Sequence, residues 1–331
     1  MKIIQSFKSL FFVTALGSLL VMSSCNKDDD PIVAPPTPTV VGVAQSDTTF
    51  SILVAAVVKA NLATTLSDVS KSYTVFAPTN NAFRAAGYTE ASINALSAAD
   101  VTNVLTPLLL YHVLGSKVLA ASVPTSDTVK TLNTKNLYAS KGANGVFVNG
   151  IKVVTADINA SNGVVHVIDK VLVPPTQSIA QVVIANASAP TPEFSLLLAA
   201  VSRAGLAGVL SGPGKFTVFA PTNAAFSALG APYNNASTIA TADSATVRRI
   251  ILSHVLPTNA FASDLVINGT LNTANPLAVI SPQQTLTVTG ATALKITGST
   301  ATPSNIITTP APLFNIVTTN GVIHVIDKVL L

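Results

Sequence analysis

Two long stretches of this sequence occur twice, in the same order, and that repetition restricts the possible folds more than anything else in it. TVFAPTN stands at Thr74–Asn80 and again at Thr217–Asn223. NGVVHVIDKVL at Asn162–Leu172 returns as NGVIHVIDKVL at Asn320–Leu330, with one difference in eleven. Between them LLLYHVL (Leu108–Leu114) is echoed by IILSHVL (Ile250–Leu256), and upstream Phe50–Leu66 parallels Phe194–Leu210. The repeat is far longer than the roughly 20–50 residues of a solenoid unit, so each copy must own a core. The 331 residues therefore divide into homologous domains at 44–174 and 178–331. They are joined by Pro174, Pro175 and Thr176, and a junction this short and proline-rich predicts a semi-rigid pair.

Local patterning predicts an α+β domain with helices early and strands late. Phe50, Leu53, Val54 and Val57 follow helical spacing, as do Phe194, Leu197, Leu198 and Val201. Val75–Phe76 and Val218–Phe219 read as short strands, followed by Thr79 and Thr222 as caps of helices that Gly87 and Gly230 close. Asn80 and Asn223 read as turn-stabilising residues. The second long motif is β-branched and apolar on both faces, as a central strand requires. Pro107 should kink or start the helix that leads to Tyr111. His112 and His166 are 54 positions apart while His254 and His324 are 70 apart, which places 16 extra residues within Asn272–Phe314. A longer surface loop there costs little.

The N-terminus reads as a targeting device. Lys2 and Lys8 precede a 13-residue apolar stretch, Leu10–Met22, too short to span a ~30 Å hydrocarbon core. Ser23, Ser24 and then Cys25, the sole cysteine, follow it. This arrangement resembles the lipobox of bacterial lipoproteins, with Met22 in place of the usual leucine. The resemblance implies that residues 1–24 are a signal peptide and that Cys25 carries lipid (palmitate). Asp28–Asp30 resembles the acidic tract that sends Bacteroidetes lipoproteins to the outer face of the outer membrane. Residues 25–43, with Pro31, Pro35, Pro36 and Pro38, read as a linker in which about 15 extended residues at ~3.1 Å each span roughly 45 Å.

Without the leader, sixteen basic residues face fourteen acidic ones, and charged residues are only 10% of the chain. No Lys/Arg cluster or tryptophan is present, so nucleic acid is not an expected partner.

The two repeated motifs, with Tyr111–His112 between them, resemble the hallmark segments of the fasciclin domain over essentially all of 44–331. The resemblance implies tandem domains, each a β-sheet wedge or sandwich with packed helices. It also implies a role in cell adhesion or surface interaction. Tyr111 becomes a candidate partner contact, which the second copy lacks because Ser253 stands there.

His166 with Asp169, and His324 with Asp327, invite a catalytic reading. Residues three apart on a strand point to opposite faces, however. His166 shares its face with Val164, Ile168 and Leu172, and Lys170 is the one charge there. His112, His166, His254 and His324 are therefore expected to be buried and satisfied by backbone groups, with no catalytic role and no metal. TVFAPTN lacks the glycines and lysine of a phosphate loop. No cofactor is expected. The expected function is a lipid-anchored outer-membrane protein at the cell surface that binds an extracellular protein or glycan without catalysis. The alternative is a structural envelope protein facing the periplasm. The 272–314 insertion and the loops near Tyr111 are candidate contact regions.

Overall fold

The computed structural model describes residues 36–142, 144–265, 270–272, 285–289, 295–298, 302–307 and 315–331. The leader, Cys25, most of the spacer and much of the 272–314 insertion lie outside the described residues.

Domain 1 contains strands β1 (Tyr73–Pro78), β2 (Val113–Leu114), β3 (Ser126–Lys130), β4 (Asn136–Gly142), β5 (Gly145–Val148), β6 (Ile151–Ala160) and β7 (Gly163–Ile168). They form one sheet in the order β2-β1-β7-β6-β5-β4-β3. The two repeated motifs are its centre: β1 and β7 run parallel, in register from Tyr73↔Gly163 to Pro78↔Ile168. Every residue of β7 is buried, because the sheet is covered on both sides. Val165 and Val167 face a helical core with Phe50, Leu53, Phe83 and Leu109. Phe76, Ile168 and Leu172 face a second core with Tyr111, Leu137 and Val148. Two register shifts in β6, between Val153 and Thr155 and between Thr155 and Ile158, re-aim that strand. Its first residues can then pair with β5 and its last with the start of β7.

Domain 2 repeats the plan with β8 (Phe216–Pro221), β9 (Val255–Leu256), β10 (Thr270–Asn272), β11 (Thr285–Thr289), β12 (Lys295–Thr297), β13 (Pro303–Asn305), β14 (Ile316–Thr318) and β15 (Gly321–Ile326). β15 lies parallel to β8. The counterpart of β6 is divided: β13 and the single bridge Ile306↔Ile326 serve one end, β14 the other. Nine positions separate Ile306 from Asn315, where four separate Val153 from Asp157. Part of the insertion therefore falls inside this strand, and among the described residues the second domain has two four-stranded sheets.

The spacer ends earlier than its composition implies. Val40–Gln45 is a helix, with Thr39 accepting the Gly42 N–H and with Val40 and Val43 buried. Its counterpart is Ile179–Ala187, capped by Ser178 in a capping box with Gln181. The buried Asn162 accepts the Val40 N–H and donates to Leu66 O and Asp68 O. Asn320 accepts the Ile179 N–H and donates to Leu210 O and Gly212 O. The asparagine opening the second motif thus pins the first helix of each domain to the central strand, so residues 40–43 belong to the domain.

Thr79 caps Asn80–Ala85 by accepting the Ala82 N–H, and Thr222 caps Asn223–Ser227 through the Ala225 N–H. Asn80 reaches further than a local turn. It accepts the Ile52 N–H, capping the helix Ser51–Lys59, and donates to Thr48 O. Ahead of Pro107, Val101–Leu105 is a π-helical turn, and the α-helix Thr106–Tyr111 follows. Proline cannot donate to the preceding turn, and a π-turn is one way the chain absorbs that loss.

Candidate functional site

The motif residues converge on one loop in each domain, residues 115–122 and 257–264, which follow β2 and β9. Thr74 on β1 donates to Ser116 O and accepts the Val118 N–H. Thr217 on β8 does the same with Thr258 O and Ala260 N–H. His166 on β7 takes the Asp157 N–H on Nδ1 and donates from Nε2 to Val118 O, at 2.9 Å. His324 takes the Asn315 N–H and donates to Ala260 O, also at 2.9 Å. Asp157 and Asn315, both with positive φ, complete the lashing by accepting the Ala120 and Ala262 N–H groups. Leu119 and Phe261 therefore occupy equivalent positions.

His112 and His254 anchor the opposite ends of the domains. Leu172 N–H donates to His112 Nε2, so Nδ1 carries the proton and donates to Leu108 O. His254 does the same between Leu330 N–H and Ile250 O. All four rings have both nitrogens committed to backbone groups, which leaves none available as a base or metal ligand. Burial pulls His112, His254 and His324 down to about 4. Asp169 is exposed beyond the end of β7, away from His166. Asp327 instead accepts the Asn305 N–H and the Ser304 hydroxyl, holding β13. Among the described residues no group of three or more His, Cys, Asp or Glu could hold a metal.

Tyr111 is not a surface contact, which corrects the expectation that the family resemblance raised. It is 0% exposed, and burial pushes its hydroxyl up to about 12. The hydroxyl donates to Asn136 O and accepts from Asn149 Nδ2, both at 2.9 Å. Its helix turns it into the strand-lined core, where a large aromatic stabilises more than it would at the surface. Tyr111→Phe is expected to leave Asn149 and Asn136 each short of a partner and to cost about 1–3 kcal/mol in urea denaturation. A cost below about 0.5 kcal/mol would refute this bonding.

Sequence reasoning missed Phe261 and Asp264. Both domains lie in one compact unit, Thr37–Leu331, and the domain 2 loop docks on the β4–β5 side of domain 1. Phe261, 1% exposed, sets its ring 4.9 Å from Tyr138. Asp264 accepts the Ser140 hydroxyl at 2.6 Å, and Lys215 reaches Asp127 at 3.7 Å. The equivalent loop of domain 1 carries no such load: Leu119 is 40% exposed. Val154, on the bulged strand that supports this loop, is 60% exposed. The two loops, GSKVLAAS and PTNAFASD, share only Ala120/Ala262, and of their differences the exchanges of Leu119 for Phe261 and of Ser122 for Asp264 are the ones that meet domain 1.

The architecture defines a class: two tandem α+β domains, each built on a parallel pair of motif strands with a helical and a strand-lined core. The chain belongs to the fasciclin family, whose domain it matches at residues 48–174 and 192–331. Protein sll1483 of Synechocystis sp. is 40% identical over 137 residues, covering 41% of this chain and 74% of that protein. Transforming growth factor-beta-induced protein ig-h3 of Sus scrofa is 29% identical over 264 residues, and Periostin of Homo sapiens 34% over 158. These alignments cover 78% and 47% of this chain but only 35% and 18% of those proteins. A solved FAS1 domain pair from the insect cell adhesion molecule Fasciclin I is 20% identical. It covers 83% of this chain and 94% of its own, with a TM-score of 0.38.

Proposed function

We propose that this protein is a lipid-anchored interaction module of the outer cell surface. In this reading the loop 115–122 of domain 1 contacts an extracellular protein or glycan. One observation carries it. The same loop, tied down by the same Thr, His and Asp/Asn bonds, is a docking element in domain 2, with Phe261 buried on the neighbouring domain. In domain 1 its counterpart is equally anchored but faces outward with Leu119. A loop held rigid before contact loses little conformational freedom on binding, which favours affinity. Cys25 and the proline-rich segment support attachment and outward presentation, and membership of the fasciclin family supports adhesion.

The test uses the mature chain, residues 25–331, against intact cells, matrix proteins and glycan arrays. Leu119→Asp is expected to weaken binding at least tenfold while changing stability by less than about 0.5 kcal/mol, as exposed substitutions do. Protease treatment of intact cells should release the body, and Cys25→Ser should abolish palmitate incorporation. A protected body would place the protein in the periplasm, and binding untouched by Leu119→Asp would move the contact elsewhere.

A further inference from the structure

Asn–Gly occurs five times in this chain, at Asn144, Asn149, Asn162, Asn268 and Asn320. In this dipeptide the glycine has no side chain to hinder its nitrogen from reaching the asparagine amide carbon. Asn268 lies outside the described residues. Of the other four, three are tied down. Asn162 and Asn320 are 3% and 4% exposed, and each accepts one backbone N–H and donates to two carbonyls. Asn149 is 5% exposed, accepts the Tyr138 N–H and donates to the Tyr111 hydroxyl. Turning any of these amides onto the following nitrogen breaks bonds to buried groups, at about 1–3 kcal/mol for each group left unmet, or waits for local opening of the domain.

Asn144 has no such restraint. It stands in the turn between β4 and β5, exposed, with exposed Gly142 before it and exposed Gly145 after it. Its amide bonds to no other group among the described residues. A Cβ added to Gly142 would meet nothing within 4 Å, and one added to Gly145 would meet only the flexible end of Lys152, at 3.8 Å. The tip of this hairpin therefore has room to rearrange without disturbing its neighbours. We propose that Asn144 is a site of spontaneous deamidation, with water as the co-reactant. The Gly145 nitrogen attacks Cγ of Asn144, gives up its proton and expels ammonia, which closes a cyclic imide. Water then adds to one of the two imide carbonyls and opens the ring to aspartate or isoaspartate, and nothing is oxidised or reduced. The product sets a carboxylate on the hairpin that carries Lys141, whose ammonium donates to Ala121 O of the outward loop. The reaction uses no residue of that loop and is independent of what the loop contacts.

The experiment holds the mature chain in mildly alkaline buffer, folded or in urea, and then cleaves it after lysine under acidic conditions for mass spectrometry. The fragment Gly142–Lys152 contains both Asn144 and Asn149, so the tied asparagine serves as a control within the same peptide. In the folded chain Asn144 is expected to convert at least tenfold faster than Asn149, Asn162 or Asn320, seen as the mass gain of exchanging NH2 for OH and as methylation by an isoaspartyl methyltransferase. In urea the four rates should draw together. Asn144→Gln should leave the fragment unconverted over the same period. An Asn144 that stays intact in the folded chain while urea-unfolded chain converts it would overturn the proposal. So would conversion of Asn149, Asn162 or Asn320 as fast as Asn144 in the folded chain.

Discussion

Replacing Gly163 or Gly321 by alanine is expected to unfold the domain that carries it. A Cβ on Gly163 would stand 2.0 Å from Tyr73 O, and one on Gly321 would stand 2.1 Å from Phe216 O. Both obstacles are backbone atoms of the paired central strand, so no side chain can swing aside. The strands have no room to separate, because β1 is held on its other edge by β2 and β7 by β6. The parallel pair would lose its register at the start of the motif, at a cost of at least about 4–5 kcal/mol. That is a large share of the ~5–15 kcal/mol that stabilises an ordinary domain. Gly87→Ala is the control. Gly87 has φ +84 but nothing within 4 Å of the added carbon, so about 1 kcal/mol is expected. Calorimetry should show the affected domain's transition lost in Gly163→Ala or Gly321→Ala and only lowered in Gly87→Ala. A shift of only a few degrees in Gly163→Ala would show that the two backbones do not meet as described.

Acid should destabilise the protein well above the range in which carboxylates titrate. His112, His254 and His324 are neutral in the fold, and desolvation holds them near 4 against a reference value of 6.5. Their hydrogen bonds to carbonyls oppose that shift and are outweighed by burial. The unfolded chain therefore takes up protons below about pH 6.5, while the folded chain does so only near pH 4. Stability from these rings is fully present above pH 7, falls as the pH drops through that interval, and is gone below it. At 1.36 kcal/mol per unit, each ring costs about 2 kcal/mol by pH 5 and about 3 kcal/mol by pH 4. Protonation also ends acceptance at one ring nitrogen, which is the bond from Leu172 N–H to His112 and from Leu330 N–H to His254. Urea midpoints measured from pH 8 to pH 4 should be flat to about pH 7 and then fall steeply. A midpoint unchanged between pH 7 and pH 5 would rule out neutral buried imidazoles.

These two effects explain why the second motif reads as it does. Asn162 pins the first helix, Gly163 admits the neighbouring backbone, and His166 holds the loop that follows β2. Each contributes a contact that no other residue type would supply in the same space. The result is a tightly bonded scaffold with an outward loop, in which Tyr111 and the histidines are buried supports.

The duplication, the order of helices and strands, the threonine caps and the burial of the histidines are legible in the residues alone. All of these follow from short-range periodicity, local capping chemistry, or an alternation of faces that residues a few positions apart impose. The rest comes from long-range packing. Val40–Gln45 is a helix because Asn162, 122 positions away, accepts its N–H. Tyr111 is inside because Asn149 and Asn136 meet its hydroxyl there. Phe261 is covered and Leu119 is not because only domain 2 has a neighbour against that loop. Those outcomes depend on which distant groups the packed chain brings within about 3 Å, and no local pattern encodes that distance.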